Sequence, residues 1–599
     1  MDDRGFILDT DATAQDVYSK LNSEEIRTLL LAPGQKPSPI ICEMQVVPRP
    51  SSLQYEALSY VWGDTAKVKS ISCNGFDFAV TESLFSALLH LRYRDSWRRI
   101  WVDQLCINQT AAPELMAQVS LMDKVYSCAS RVIVWLGDCD QKMAQAWQLL
   151  QETALSTSLV RSDFLSSSPS PTPRKRPKTR RRLSGSSTRS TLSSQTASSS
   201  RESLSSSLCS SSPRAGGRRA VSSPALKHAL AIFQHVWFRR KWTFQEIILA
   251  KAAIICSGDL EMAWSDLTTW YFHYASKLRS SSLLYDSQGS FENIMTVRNE
   301  LDKGEVKLSS LLMLTRQRQS TKPEDAVYAL LGLLPDLGHH LHTAGGAAPA
   351  KWTSETLLEL YFAAFRYCLA NENSLSILSA AGMYKGNSST AFPTWLPDWR
   401  EQLPLRPLVL VADQAGLEQY SAAGDTTPQY SWKASLFRNN ILTVRGFRVG
   451  CVCTRQGFWP STFLVADSTA QKVLDEKGEG AKFSQSITTL PVPAARSSRS
   501  PPTYAKRLFQ AALQKKITCA PIRTSAMVET GDWLCLLLGG PVLYALRPVT
   551  EPMRSGAASL QQKEVVQCRF IGECSVNGLM RGELVSFEDE IEYLEFELI

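Results

Sequence analysis

Residues 55–64 read YEALSYVWGD, and this stretch decides how the surrounding chain is interpreted. It holds three aromatic residues, two carboxylates and one glycine in ten positions. Its apolar residues predict a buried strand, with Glu56 near the beginning and Asp64 just after a glycine at the end. Two interpretations are open. The stretch is a core strand that runs into a turn, or it is a strand end that delivers carboxylates to a site.

Strand and helix signals alternate on both sides of this stretch. SISCNGFDFAV at 70–80 predicts a hairpin with Asn74-Gly75 in its turn, and Thr81 is a helix N-cap candidate. Pro113 opens a further helix, in which apolar residues recur at helical spacing. The alternation predicts an α/β domain whose mostly parallel sheet is covered by helices on both faces. Strands are predicted at 39–47, 56–62, 98–103, 131–137 and 252–256.

The length of 599 residues exceeds what one hydrophobic core usually serves, so more than one domain is expected. Residues 1–51 form an N-terminal segment ahead of the α/β domain. Residues 285–400 carry amphipathic helical patterns, and residues 405–599 carry strand-like runs that predict a β-rich C-terminal domain. The most apolar run, WLCLLLGGPVLYAL at 533–546, contains Gly-Gly-Pro and predicts a strand–turn–strand element, because it is too short to span a bilayer.

The net charge of +8 is concentrated in one segment. Between Arg161 and Pro224 there are thirteen Lys and Arg residues against two acidic residues, so the rest of the chain is mildly acidic. The Ser-rich insert 156–223 has few large apolar residues, and its composition predicts disorder. Its basic run RKRPKTRRR at 174–182 is open to three interpretations: a nuclear-import signal, a nucleic-acid patch or a solvated loop that kinases modify.

The sequence predicts a protein of a reducing compartment. Its fourteen cysteines are scattered without any CxxC pair, which favours free thiols. HHLH at 339–342 has no partner cluster with zinc spacing, so no metal site is predicted. The acidic beginning of the chain lacks the apolar run of a secretion signal, and no run is long enough for a membrane span. We expect a soluble protein of the cytoplasm, with entry into the nucleus through 174–182 as the alternative.

Four long motifs in order resemble the heterokaryon-incompatibility (HET) domain of filamentous fungi. They are YEALSYVWGD (55–64), IWVDQLCINQ (100–109), QVSLMDKVYSCASRVIVWLGD (118–138) and WFRRKWTFQEIILA (237–250). The resemblance covers 52–265 once the insert is removed. It continues more weakly through EDAVYALLGLL (324–334), FPTWLPDWR (392–400), GDWLCLLLGG (531–540) and FIGECSVNGLMRGE (570–583). One departure is visible: after IWVDQLCINQ the family usually carries an acidic residue and a Glu-Arg pair, where this chain has TAAPELMAQ.

The resemblance implies a regulator or effector of programmed cell death at non-self recognition. It also implies a fold related to the Toll/interleukin-receptor (TIR) domain, and it makes NAD a candidate substrate. Self-association or a protein partner would control the activity. The rival hypothesis is an interaction module without catalysis, since the chain has no GxGxxG or GxxxxGK nucleotide motif and no GxSxG nucleophile motif.

Carboxylates follow three of the predicted parallel strands. Asp64, Asp103 and Asp138 come at strand ends, where the ligand crevice of a parallel sheet forms. Glu246 adds a fourth carboxylate among apolar residues of a predicted helix. A TIR-type NAD hydrolase needs a carboxylate to stabilise an oxocarbenium-like charge and an aromatic ring to stack the leaving base, a logic shared with glycoside hydrolysis. The candidates are Glu246 first, Asp103 second and Asp64 third for catalysis, with Trp62, Trp101 and Trp242 for stacking.

Each candidate also has a purely structural interpretation. Asp64 and Asp138 each follow a glycine, so turn or capping roles explain them. The tryptophans in strands fit core packing. Glu246 is the hardest to explain as structural, because a carboxylate between apolar residues needs a partner. Arg239 or Arg99 would serve as that partner.

Overall fold

The computed structural model describes residues 18–66, 68–151, 229, 232–278, 285–338, 340–341, 353–382, 392–401, 407–410, 420–433, 441–452, 463–464, 528–529, 531–549, 553–554, 564–574, 580–582, 584–585 and 593–599. The Ser-rich insert 156–223, with its basic run, lies outside these residues. The chain forms two compact units, 1–140 with 233–599, and 141–232. In the second unit, residues 141–151 are helical.

A nine-stranded sheet organises the N-terminal part of the first unit. Its strand order is β5-β4-β2-β1-β6-β3-β7-β8-β9. Five predicted strands are confirmed, at 39–47, 56–62, 98–103, 131–137 and 252–256. Strands β1 and β9 were not predicted. The strands are β1 Ile26–Leu31, β2 Ile41–Val47, β3 Glu56–Tyr60, β4 Val68–Cys73, β5 Phe76–Thr81, β6 Arg98–Trp101, β7 Arg131–Trp135, β8 Ala253–Ser257 and β9 Leu260–Ala263.

The sheet is mixed, which corrects the expectation of a mostly parallel sheet. Its central strands β6, β3, β7 and β8 pair in parallel, as do β2 and β4. The pairs β1/β2, β1/β6, β4/β5 and β8/β9 are antiparallel. The prediction missed β1, which enters antiparallel between β2 and β6 and divides the parallel part of the sheet. The carboxyl ends of the central parallel strands still share one edge.

The predicted hairpin forms between β4 and β5. Asn74 and Gly75 have φ angles of 52° and 84°, the left-handed values that a two-residue turn between twisted strands requires. Thr81 caps the helix that follows, since its hydroxyl oxygen accepts a hydrogen bond from the backbone N–H of Leu84. Thr81 is buried, so its capping hydrogen bond holds the beginning of the helix at the end of the hairpin.

Within the described part of the first unit, six α-helices accompany this sheet. The helix predicted from Pro113 is divided in two, because the backbone breaks its helical pattern at Ser120 and Leu121. The helices are α1 Glu82–Leu91, α2 Asp103–Cys106, α3 Ala112–Val119, α4 Met122–Cys128, α5 Trp242–Ile248 and α6 Trp264–Leu278.

The predicted helical region follows in the chain, and its residues form hydrogen bonds with α5 and with the residues directly after it. Arg298 donates hydrogen bonds to the carbonyl oxygens of Ile247 and Ala250, at 3.2 and 2.9 Å. Gln245 accepts a hydrogen bond from the N–H of Gly332 at 3.1 Å. The buried α5 therefore depends on chain beyond the α/β segment. The helices are α7 Tyr285–Lys303, α8 Leu308–Leu314, α9 Asp325–Tyr328 and α10 Ser354–Glu372.

An eight-stranded sheet forms the C-terminal part, as the strand-like runs predicted. WLCLLLGGPVLYAL contributes two antiparallel strands, and Gly539 in their turn has a φ of 76°. The strand order is β10-β11-β13-β14-β16-β15, with β12 on β11 and β17 pairing with both β11 and β16. The strands are β10 Tyr430–Lys433, β11 Ile441–Val452, β12 Phe463–Leu464, β13 Trp533–Leu537, β14 Leu543–Pro548, β15 Met553–Arg554, β16 Glu564–Cys574 and β17 Leu594–Leu598.

None of the helices in the described ranges is both long enough and apolar enough to cross a membrane. Ten cysteines of the described ranges are free thiols, in line with the scattered spacing: Cys42, Cys73, Cys106, Cys128, Cys139, Cys256, Cys368, Cys535, Cys568 and Cys574.

Candidate functional site

The strand of YEALSYVWGD is buried, and its two carboxylates lie at opposite ends. Glu56 begins β3 and receives hydrogen bonds from Arg98 and Arg131, at 2.5 Å each. Burial alone would raise the pKa of Glu56, but the two arginines outweigh it and hold this pKa below the ordinary value. Glu56 is thus part of a structural ion pair at the beginning of the strand.

A buried hydrogen-bonded chain joins β3 to α5. Trp237 donates its indole N–H to the hydroxyl of Ser59 at 2.8 Å. Ser59 in turn donates its hydroxyl hydrogen to the Oε2 atom of Glu246. Ser59 and Trp237 are fully buried, and Glu246 is 7% exposed. The carboxylate of Glu246 therefore lies inside the protein, held by a neutral donor and not by a salt bridge.

The environment of Glu246 shifts its titration toward neutral pH. Burial raises the pKa of Glu246 to about 7, and the negative charge of Asp103 adds to the increase. The Ser59 hydroxyl, the Arg240 charge and the Tyr126 hydroxyl act in the opposite direction. A carboxyl group with a pKa near 7 can accept or release a proton at the pH of the cell.

Asp103 lies at the beginning of α2, directly after β6. Its Oδ2 atom accepts a hydrogen bond from the indole N–H of Trp62 at 2.8 Å, and its Oδ1 atom accepts one from the N–H of Gln104 at 2.7 Å. Burial raises the pKa of Asp103, although Trp62 and the Arg240 charge oppose the increase. The negative charge of Asp103 raises the pKa of Glu246, so the two carboxyl groups form one electrostatic pair.

We call Glu246, Asp103 and the side chains bonded to them the carboxylate site. Two tyrosines and one arginine complete it. Tyr60 donates its hydroxyl to Gln104 at 3.3 Å, and Tyr126 donates its hydroxyl to the carbonyl oxygen of Leu58 at 3.1 Å. Burial raises the pKa of both tyrosines, and the charge of Asp103 acts in the same direction. Arg240 donates to the carbonyl oxygen of Tyr60 at 3.3 Å and supplies the positive charge.

Of the sequence candidates, Asp103 accepts a hydrogen bond from Trp62 and acts on the pKa of Glu246 through its charge. Asp64 has a different setting: it is exposed, and its Oδ1 atom accepts a hydrogen bond from the N–H of Ala66 at 3.0 Å, as a turn residue does. Asp138 is also exposed and accepts a hydrogen bond from Ser86 of α1.

The other two tryptophan candidates have structural contacts. Trp242 donates to the side chain of Asp325, which belongs to α9. Trp101 is fully buried and packs edge-on against Tyr126, with 5.6 Å between the ring centroids. Trp62 is partly exposed, and among the described contacts of these three tryptophans it alone has a hydrogen bond to Asp103 or Glu246.

The predicted partner of Glu246 was wrong. Arg99 donates to Thr28 and Gln45, and Arg239 is exposed. The positive charge comes from Arg240, the next residue in the chain, because a 3₁₀ turn over Val236–Arg239 sets the direction of this segment. Sequence reasoning missed Ser59 and Tyr126, because their contacts join elements that are distant in the chain.

The region that departs from the family pattern keeps a structural carboxylate. Within TAAPELMAQ, Glu114 accepts two hydrogen bonds from Arg27, at 2.5 and 3.0 Å, and one from the N–H of Asn108 at 2.9 Å. These bonds fasten the segment after α2 to β1. Among the residues that the structure describes, no group of His, Cys, Asp or Glu side chains is arranged to hold a metal ion.

Comparison with known proteins agrees with the resemblance of these motifs to one family. The family described as Heterokaryon incompatibility protein (HET) matches residues 55–246, a range that contains every residue of the carboxylate site. The protein is a HET domain protein. It resembles the protein named "Heterokaryon incompatibility protein 6, OR allele" of Neurospora crassa, with 38% identity over 129 residues. That match spans 19% of this chain and 19% of the relative. No solved structure is similar to the chain.

Proposed function

We propose that this protein acts in fungal heterokaryon incompatibility, as a regulator or effector of programmed cell death, and that its HET domain hydrolyses NAD. The observation that carries the proposal is the buried Glu246, whose raised pKa depends in part on the negative charge of the half-buried Asp103, which binds the partly exposed Trp62. The family match and the name of the Neurospora relative support the biological role. The parallel strands β6, β3, β7 and β8 are the part of the sheet that we compare with a TIR domain.

The proposed reaction breaks the bond between nicotinamide and the ribose C1′ atom. Nicotinamide leaves with the bonding electron pair and becomes neutral, and a water oxygen forms the new bond to C1′. The water releases one proton. A carboxylate near C1′ stabilises the positive charge that develops on the ribose, and it accepts that proton.

The residues divide these tasks according to their environment. Glu246, with its pKa of about 7, is half ionised near neutral pH and is the proton acceptor. Asp103 supplies the second negative charge and orients Trp62 through the indole N–H. The ring of Trp62 is the stacking surface for nicotinamide. Ser59 holds the carboxylate of Glu246 in place.

The test incubates the purified full chain with NAD and measures nicotinamide by chromatography. We expect turnover in the natural protein and a loss of about 100-fold or more in Glu246→Gln. Glu372→Gln is the matched control, because Glu372 is another carboxylate of a helix that accepts hydrogen bonds from a serine hydroxyl and a backbone N–H. Equal loss in both variants would indicate misfolding and would contradict the assigned role of Glu246.

The rival hypothesis is a docking module whose aromatic strand ends bind another protein. The same assay separates the two: absence of turnover in protein shown to be oligomeric favours docking. Within the proposal, the HET domain comprises 52–265, the helical region 285–400 and the β-rich domain 405–599. The protein acts in the cytoplasm with protein partners or as a self-assembly. Nuclear import or nucleic-acid binding through 174–182 remains a prediction, tested by deletion of 161–222.

A further inference from the structure

Two buried cysteines face each other on neighbouring strands of the nine-stranded sheet. Cys42 of β2 and Cys73 of β4 are register partners in a parallel pair, so their side chains lie on the same face. Their exposed fractions are 1% and 0%. In the described strand pairings, no other cysteine has a cysteine as its register partner. This placement distinguishes the pair from the other described strand cysteines.

The backbone spacing at this pair suits a disulfide. Neighbouring strands lie about 4.7–4.9 Å apart, and disulfides join residues whose Cα atoms are about 4.4–6.8 Å apart. The Cys42 thiol donates a hydrogen bond to the carbonyl oxygen of Ser72 at 3.4 Å, so its sulfur lies against β4. Both cysteines are free thiols in the structure. A bond between the two sulfurs therefore requires rotation of side chains and no new pairing of strands.

The two thiols are chemically unequal, as a nucleophile and its resolving partner must be. A hydrogen bond with Cys42 lowers the pKa of Cys73, although burial opposes this effect. The same hydrogen bond raises the pKa of Cys42, and burial adds to the increase. Because the thiolate is the reactive form, Cys73 is the thiol that reacts first with an oxidant, and Cys42 is the resolving thiol.

The hairpin of β4 and β5 provides a route to the buried sulfurs. Its two strands pair with each other at six positions, whereas β4 pairs with β2 at two. The N–H of Asn74 also donates to the carbonyl oxygen of Cys42 at 3.0 Å. A short ladder opens locally at a lower free energy than a long one. Local opening between β2 and β4 would expose both cysteines to a small oxidant at the same time.

We propose that Cys42 and Cys73 form a reversible disulfide in the presence of hydrogen peroxide and that this bond fastens the hairpin to β2. The Cys73 thiolate attacks one peroxide oxygen, so an S–O bond forms, the O–O bond breaks, and the departing hydroxide takes up a proton to become water. The Cys42 sulfur then attacks the sulfur of this sulfenic acid, and the hydroxyl group leaves with the Cys42 proton as a second water. Two thiols lose two electrons, and one peroxide becomes two water molecules. The pair does not include Glu246 or Asp103, so this proposal is independent of the proposed NAD hydrolysis.

The test treats the folded full chain with hydrogen peroxide, blocks the remaining thiols with N-ethylmaleimide, and maps disulfides by mass spectrometry of tryptic peptides. Lys69 lies between Cys42 and Cys73, and Arg92 lies between Cys73 and Cys106, so trypsin separates the three thiols. We expect linked peptides that contain Cys42 and Cys73 and that dithiothreitol separates. Cys106 of α2 is the competing partner, because its charge acts on the pKa of Cys42.

Hydrogen exchange measures whether the bond fastens the hairpin. Backbone amides of β4 should exchange about tenfold more slowly, or slower still, in the oxidised protein than in the reduced protein, because the disulfide prevents opening between β2 and β4. Cys73→Ala should abolish both the link and this difference. Cys256→Ala is the matched control and should keep both, because Cys256 is also buried in a strand but its register partners are Trp135 and Glu261.

Three results would overturn the proposal. The first is folded, peroxide-treated protein without a link between Cys42 and Cys73, and the second is a link from Cys73 to Cys106 in its place. The third is equal exchange of the β4 amides in the oxidised and reduced proteins. The mapping uses the natural protein, so its outcome does not depend on the folding of a variant.

Discussion

Ser59 donates its hydroxyl hydrogen to the carboxylate of Glu246, 187 positions later in the chain. The serine lies inside the strand of YEALSYVWGD, and the glutamate lies inside the helix of WFRRKWTFQEIILA. One hydrogen bond thus joins the first and the last motif of the HET match. Because Ser59 also accepts the indole N–H of Trp237, its own orientation is fixed, and the carboxylate of Glu246 has a fixed donor.

The first prediction concerns this donor. Ser59→Ala removes a hydrogen bond that favours the ionised form of Glu246, so the pKa of Glu246 should rise further above its present value of about 7. The pH profile of NAD turnover should move in the alkaline direction by the same amount. The free energy of unfolding should fall by about 1–3 kcal/mol, because the indole N–H of Trp237 loses its acceptor.

Ser130→Ala is the control for that change. Ser130 also has a structural hydroxyl near β3, which donates to the carbonyl oxygen of Tyr55 at 2.9 Å, but it does not contact the carboxylates. Its removal should lower stability without moving the pH profile. An unchanged profile in Ser59→Ala would show that this hydroxyl does not set the protonation of Glu246.

The second prediction separates two aspartates that the sequence analysis ranked second and third as catalytic candidates. Asp103→Asn should lower NAD turnover by about 100-fold or more, because it removes the second negative charge of the pair. Asp64→Asn should leave turnover nearly unchanged, since Asp64 is exposed and asparagine also accepts a turn hydrogen bond. Melting temperatures of both variants should be measured in parallel. A large loss of turnover in folded Asp64→Asn would return Asp64 to the site.

The strands and the hairpin could be predicted because their signals are local. Asn74-Gly75 indicates its turn through backbone preference alone, and Thr81 indicates its cap through its side chain. Strand β1 was missed, although IRTLLL is largely apolar, and its antiparallel insertion made the sheet mixed. Strand direction depends on pairing between distant segments, which a single sequence does not encode locally.

The site could be predicted only as residue types at strand ends. Glu246 was identified because a carboxylate between apolar residues needs an explanation. Its partner was not, because Arg239 and Arg240 are adjacent and the turn ahead of α5 decides which of them faces inward. Asp64 makes none of the described contacts of the site, because Gly63, with a φ of 75°, turns the chain directly before it.

The third prediction concerns pH-dependent stability in the C-terminal sheet. Glu573 of β16 is buried and accepts a hydrogen bond from the N–H of Leu408 at 2.7 Å. Burial raises the pKa of Glu573 to about 8, although Leu408 and Ser379 oppose the increase. The folded protein therefore holds a proton that the unfolded chain releases at lower pH. This contribution to stability is complete below the unfolded pKa and is lost as pH rises through about 8.

Glu573→Gln should remove that dependence, because the amide stays neutral and keeps the acceptor oxygen. The difference in melting temperature, variant minus natural protein, should increase between about pH 5 and about pH 9. Glu597→Gln is the control with opposite sign: burial would raise the pKa of Glu597, but Lys433 and Gln567 hold it below the ordinary value. For Glu597→Gln, the difference in melting temperature, variant minus natural protein, should decrease as the pH rises from the acid range. Parallel curves for all three proteins would contradict both assignments.

The fourth prediction tests whether the helical region supports the site. Arg298 of α7 donates to the carbonyl oxygens of Ile247 and Ala250, at the end of the helix that carries Glu246. Arg298→Met keeps the apolar stem but removes both donors, so the free energy of unfolding should fall by about 1–3 kcal/mol. NAD turnover should fall more than NAD affinity, because the variant loosens the position of Glu246 without touching the ring of Trp62. Arg49→Met should change neither quantity, since the ion pair of Arg49 with Glu24 is exposed. Equal kinetic parameters in Arg298→Met and the natural protein would show that α5 holds Glu246 without help from α7.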